Sequence, residues 1–209
     1  MNGAAASERP KRGRPRSQKA RSAILEAAAE LLLARGLDAA SMDAVAERAG
    51  VSKATIYRWW PSKEILALEA VYRAWSDVDA GEPDRGSLRG DLRAMLLPWA
   101  RQVRQRPYGR VIAAFVTEAQ TNPAFEEQYR TRFVEPRRQQ GRAAFARAAA
   151  RGEIPNDVNV DVALDMLYGP LYHRLLHRHA PLTDRFVADV IDAVLRGLPT
   201  PRPRAEPTT

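Results

Sequence analysis

From Ile24 to Val194 the apolar residues of this chain recur at helical spacing, and no run alternates with the period of two that a half-buried strand requires. Ile24, Leu25, Ala28, Leu31 and Leu32 form one stripe. Leu88, Leu92, Met95, Leu96, Trp99 and Val103 form another, and Val111, Ile112, Phe115 and Val116 a third. A chain patterned in this way buries helix against helix, so the expected fold class is all-α. Glycine and proline set the boundaries. Gly36 ends the first helix, and Gly50 separates the short segment Ser41–Ala49 from a second one capped by Ser52 and running to about Trp60. Pro61 and Ser62 open a helix expected to reach Val78. The stretch AGEPDRGS, residues 80–87, is the clearest internal boundary. Beyond it a long helix is expected from Pro123 to Arg151, bent at Pro136, then a loop over 152–159. Two last helices follow, over about 160–179, with Gly169-Pro170 inside, and about 183–197.

Charge is distributed unevenly. The net charge is +8, and before Ser22 seven basic residues face Glu8 alone. Such a block repels itself and seeks a polyanion, which makes double-stranded DNA the expected partner. Residues 1–20 are therefore expected to form a disordered basic arm, and the proline-rich 199–209 a disordered tail. Between them lie a DNA-binding unit, 21–66, and a larger helical unit, 67–198. No apolar run approaches the roughly 20 residues of a membrane span, and no secretory signal is expected. The chain has no cysteine, which excludes thiol chemistry and fits a cytoplasmic protein. With no GxSxG, Walker A or GxGxxG pattern, neither an enzyme nor a bound cofactor is expected.

The segment AGVSKATIYRWWPSKEIL, residues 49–66, carries the functional signal. Two short helices joined at Gly50 make a helix-turn-helix, with the small Ala46 where they cross and Val45, Val51 and Ile56 between them. Ile56 and Trp60 are four apart and point inward. Tyr57 and Trp59 remain for a partner. The second helix of such a motif enters the major groove, where Lys53 and Thr55 would read bases and the Tyr57 hydroxyl and Trp59 indole would donate to phosphates. An ordinary helical hairpin is the bland alternative. In the arm, KRGRPR (residues 11–16, with Arg12, Arg14 and Arg16) is similar to an AT-hook core. It would either follow a minor groove or add non-specific attraction only.

Residues 24–66 closely resemble the tetracycline-repressor (TetR) family of bacterial transcriptional regulators. The likeness lies in Gly36, Ser41, Val45-Ala46, Ala49-Gly50-Val51-Ser52 and Thr55-Ile56-Tyr57. The resemblance implies that Ser41 caps its helix and touches phosphate, that Ser52, Lys53, Ala54, Thr55, Tyr57, Arg58 and Trp59 face an operator, and that Lys63 clamps its backbone. Two positions depart from the pattern: Trp59 and Trp60 stand where relatives often have His and Phe.

The resemblance also implies a small effector bound between the C-terminal helices, where Met95, Trp99, Phe115, Tyr168 and Tyr172 are either core or pocket wall. Leu171, Leu175, Phe186, Val187, Val190, Ile191 and Val194 are expected to form a two-fold dimer contact. His173, His177 and His179 are expected at a helix end without a metal, because Arg174 and Arg178 would repel a cation. The arginines of the long helix are expected to form a solvated shell. The expected function is a ligand-responsive, homodimeric repressor; an effector-independent, nucleoid-type DNA binder is the alternative.

Overall fold

The computed structural model describes residues 14–76 and 83–198, and every regular element among them is helical. The helices are α1 (Arg14–Arg35), α2 (Met42–Ala49), α3 (Lys53–Tyr57), α4 (Lys63–Ser76), α5 (Leu88–Arg104), α6 (Arg106–Thr121), α7 (Pro123–Tyr129), α8 (Glu135–Ala150), α9 (Val160–His177) and α10 (Asp184–Gly197). Helix α1 begins at Arg14, inside the stretch expected to be an arm, so Arg14 and Arg16 lie in its first turn. Arg12 and the 199–209 tail lie outside the described residues.

The head is α1 to α3 packed on the start of α4, around Ile24, Leu32, Val45, Ile56, Trp60 and Leu66. Helix ends in both units follow from short-range chemistry. The Ser41, Ser52, Asn159 and Thr183 side chains each accept the backbone N–H three residues on. Gly50 turns the chain at φ +64°, a left-handed conformation that glycine adopts without strain, and its N–H reaches the Ala46 and Glu47 carbonyls. Helix α3 stops at Tyr57, short of the expected Trp60.

In the larger unit α10 lies against α5 and α9, and α5 crosses α6 and α8. At Gly109 any side chain would drive its Cβ to 2.4 Å from the Val103 carbonyl oxygen, so glycine permits the sharp return from α5 into α6. The expected long helix is interrupted: a π-helical turn, Arg130–Val134, separates α7 from α8. Pro136 explains it. Proline has no N–H to give to the carbonyl four residues back and its ring crowds that carbonyl, so the chain widens one turn ahead of it. The Glu135 N–H then reaches five residues back to the Arg130 carbonyl, and Arg137 Nη1 donates to the Phe133 carbonyl at 2.8 Å.

Several arginines expected to form a solvated shell are instead cross-links. Arg138 binds Asp161 and Asp165, Arg142 binds Glu135 and Asp161, and Arg147 donates to Asp91 at 3.2 Å. Asp91 is wholly buried and also accepts the Arg85 N–H at 2.6 Å, which fixes the start of α5.

The residues expected at the dimer contact are largely buried within the single chain. Leu171, Val187 and Ile191 are inaccessible, Val194, Val190 and Leu175 are buried, and Phe186 is half-buried with the Arg174 guanidinium 3.3 Å above its ring. These residues are core of the single chain, because α5 covers the apolar face of α10. At Gly169, inside α9, a Cβ would meet nothing within 4 Å, so no neighbouring helix approaches the backbone closely there.

Candidate nucleic-acid interface and aromatic cluster

Helix α3 stands at the surface of the head. Ser52, Lys53, Ala54, Tyr57 and Arg58 are exposed, and Thr55 is half-buried. Tyr57 leaves about half of its surface open, 52%, although it is among the largest apolar-bodied side chains of the head. The Ser52 and Thr55 hydroxyls lie 3.0 Å apart, and Ser52 Oγ accepts the Thr55 N–H at 3.3 Å. Ser41 accepts the Ala44 N–H at 3.2 Å, so its capping role is formed without DNA. Lys63 opens α4, its Nζ 3.8 Å from Asp38 and 3.9 Å from Glu64.

The four bulky residues 57–60 divide largely as expected. Trp60 is buried and its Nε1 donates to Glu69 at 2.8 Å. Trp59 is divided between the core and the surface. It is half-buried and packs edge-on against Trp60, with ring centroids 5.5 Å apart, so part of the indole belongs to the head rather than to a partner. Lys53 carries a feature that the sequence does not show. Its ammonium lies 2.5 Å from Asp43 of α2, and that hydrogen bond and charge raise its pKa above the ordinary lysine value. Both side chains are exposed, so DNA phosphates can compete with Asp43 for the lysine. Asp43→Asn is therefore expected to tighten binding to random-sequence DNA at low salt, with the difference from wild type fading as salt rises. Fluorescence anisotropy over a salt series measures this, and unchanged low-salt affinity would show that Asp43 does not restrain Lys53.

In the larger unit four of the five proposed ligand residues fall in one aromatic network. Trp99 of α5 lies 5.3 Å from Tyr172 and 6.4 Å from Tyr168, both on α9. The Tyr172 and Tyr129 hydroxyls are 3.5 Å apart, and Tyr129 links onward to Phe115, Phe125 and Phe133. Burial pushes the pKa of both phenols upward, so both stay protonated at neutral pH. Met95 is half-buried one turn before Trp99. Tyr129, Phe125 and Phe133 were missed, although their spacing of four shows in the sequence once the turn at Arg130 is known. A separate cavity of about 410 Å³, bounded by Arg142, Phe145, Ile154, Val158 and Val160, contains none of the five.

The exposed His173, His177 and His179 rings cluster with centroids 4.6 and 4.8 Å apart. Among the described residues no group of three or more His, Cys, Asp or Glu has the geometry to hold a metal, and no helix is long and apolar enough to cross a membrane.

An exposed short helix behind a left-handed glycine turn, on a head joined to a larger helical unit, has a direct counterpart in known proteins. Residues 24–70 match the family model of bacterial regulatory proteins, tetR family, and residues 82–194 that of the tetracyclin repressor-like C-terminal domain. The chain belongs to the TetR family. It is 40% identical over 144 residues to the uncharacterized HTH-type transcriptional regulator YdeS of Bacillus subtilis (strain 168), covering 69% of this chain and 72% of that protein. It is 32% identical to the DNA-binding transcriptional repressor TetR of Mycobacteroides abscessus over 92% of this chain and 98% of that one. The crystal structure of the TetR family regulator SCO0332 superposes with a TM-score of 0.75 at 37% identity, over 86% of this chain and 98% of that one. This TetR-family chain is accordingly a DNA-binding transcriptional regulator, with its helix-turn-helix at α2–α3.

Proposed function

We propose that the protein is a homodimeric cytoplasmic repressor. It grips a palindromic operator through α3 of two heads and releases it when a small, largely apolar effector settles among α5, α6, α7 and α9. The observation that carries this reading is the joint at Glu69 on α4. Its carboxylate, 17% exposed, pairs with Arg21 of α1, accepts the Trp60 indole N–H, and lies 3.7 Å from Arg132 in the π-helical turn. The next residue, Phe133, stacks on Tyr129 within the aromatic network at 5.2 Å. A ligand that re-seats Tyr129 therefore acts on a turn whose arginine touches the head. Release requires the effector to favour the form whose heads are wrongly spaced for one DNA turn, since equal affinity for both forms shifts nothing.

Pairing of two chains is supported by α9. Val162, Met166, Gly169, His173 and Leu176 make one solvent-facing stripe, in which Val162 and Met166 are each 51% and Leu176 41% exposed. The outer face of α10 is charged, with Arg185 beside Asp189. A second copy related by a two-fold axis would cover the α9 stripe.

The deciding experiment is an operator titration of Tyr57→Ala beside a footprint of the wild-type protein. A hydrogen bond to a charged phosphate contributes about 1.5–3 kcal/mol, and a dimer loses it twice, so affinity should fall at least about a hundredfold with helicity unchanged. Wild-type affinity in that variant would remove α3 from the interface. A footprint without two-fold symmetry would favour the effector-independent, nucleoid-type alternative.

A further inference from the structure

We propose that Trp99 is the polar reader of the effector site, and that the effector is an uncharged, ring-bearing molecule whose carbonyl-type oxygen accepts the Trp99 indole N–H. This rests on assigning α5–α9 as the effector domain and adds the chemistry of what that domain binds.

Trp99 is 93% buried by its 7% exposure, yet its Nε1 finds no hydrogen-bond partner among the described residues. The contrast with Trp60 is informative: there the sole indole donor is matched at 2.8 Å by Glu69. A donor withdrawn from water and left unmatched is uncommon in a native interior, and it marks a position where an acceptor belongs. The acceptor is expected on a ligand because the surroundings are those of a binding site. Tyr172 is tilted 34° to the Trp99 ring and Tyr168 stands edge-on at 88°, so two phenol rings of α9 pack against the indole that carries the N–H. The Tyr129 and Tyr172 hydroxyls, 3.5 Å apart, meet only at the limit of a hydrogen bond, so either can turn to a second oxygen on the ligand.

Charge narrows the class further. The Arg137 guanidinium, 3.9 Å above the Phe133 ring, lies close enough to act electrostatically on both phenols. Its field disfavours a cation, which a ring of aromatic faces would otherwise suit. A full negative charge buried among rings would lose its hydration against the neutral Trp99 N–H and phenol hydroxyls alone, since Arg137 Nη1 already donates to the Phe133 carbonyl. A neutral oxygen on a ring-bearing body meets both constraints. The rings already touch, so such a ligand enters by parting α5 from α9, and Tyr172 carries that displacement to Tyr129 and the π-helical turn.

The test uses two probes of matched shape, benzophenone and diphenylmethane, which differ only in a carbonyl against a methylene. Binding to the full-length protein is measured by calorimetry, and the Trp99 indole ¹H–¹⁵N resonance, assigned by comparison with Trp99→Phe, is followed during each titration. Benzophenone is expected to bind at least about tenfold more tightly, because diphenylmethane leaves the donor unmatched. It should also move the Trp99 indole proton downfield, and Trp99→Phe should bind the two probes equally. Should Trp99→Phe fail to melt cooperatively, the wild-type affinity ratio decides, with Tyr172→Phe expected to preserve the carbonyl preference.

Equal affinity of the two probes for wild type, a carbonyl preference that survives Trp99→Phe, or no binding of either probe overturns the proposal. Operator titration in the presence of each probe separates the two levels. Carbonyl-dependent binding that leaves operator affinity unchanged keeps Trp99 as the reader and sinks the effector-release function. Release of the operator by both probes alike keeps that function and sinks the role of Trp99.

Discussion

Trp60→Ala is expected to abolish operator binding by unfolding the head while the larger unit stays folded. Trp60 is 1% exposed and closes the core formed with Ile24, Leu32, Ile56 and Leu66. Removing so large a buried side chain costs about 3–5 kcal/mol, of the same order as the whole stability available to a three-helix unit. The variant also leaves Glu69 without the indole N–H while its pairs with Arg21 and Arg132 remain. Hydrogen exchange reads the result region by region. Amides of α2 and α3 should exchange as in an unfolded chain, and those of α5, α9 and α10 should keep wild-type protection. Trp60→Phe is the control. It keeps most of the packing and loses only the Glu69 bond, so its head should fold and bind operator. Persistent protection of α2 and α3 in Trp60→Ala would mean that Trp60 is not the keystone of the head.

The head was legible in the sequence because its determinants are local. Ser41, Ser52 and Gly50 act on backbone groups within four residues, and the four-residue spacing of Ile56 and Trp60 assigns an inward face without knowledge of any partner. What escaped was decided at long range. The apolar stripe of α10 announces that something covers it, but spacing cannot distinguish α5 of the same chain from a second copy, and within the single chain α5 packs on α10. Glu69 shows no motif, since its importance comes from Arg21, Trp60 and Arg132 converging on it from three separate segments. Pro136 did signal a defect in the long helix, yet whether the defect is a bend or a π-helical turn depends on how the freed carbonyls find partners. Arg137 supplies one of them.

Arginine introduced at Val162 and Met166 together is expected to give a folded monomer that has lost its operator. Both side chains are 51% exposed in the single chain, so guanidinium groups there displace no core and reach water. On the two-fold related α9 of a second copy they would meet their own mates, placing four positive charges in one apolar seam. Light scattering should report 23.3 kDa for the variant and twice that for wild type. Operator affinity should drop by a factor of about 10² or more, since a single head forgoes the effective concentration that the first head confers on the second. Val190→Arg gives the opposite result. At 8% exposure, among Val187, Ile191 and Val194 on a helix packed against α5, a guanidinium is withdrawn from water, so that variant should fail to fold rather than dissociate. A dimeric Val162→Arg/Met166→Arg protein would move the seam off α9. A folded, monomeric Val190→Arg protein would show that the apolar face of α10 opens from α5 to receive the partner, and would restore it as the contact between chains.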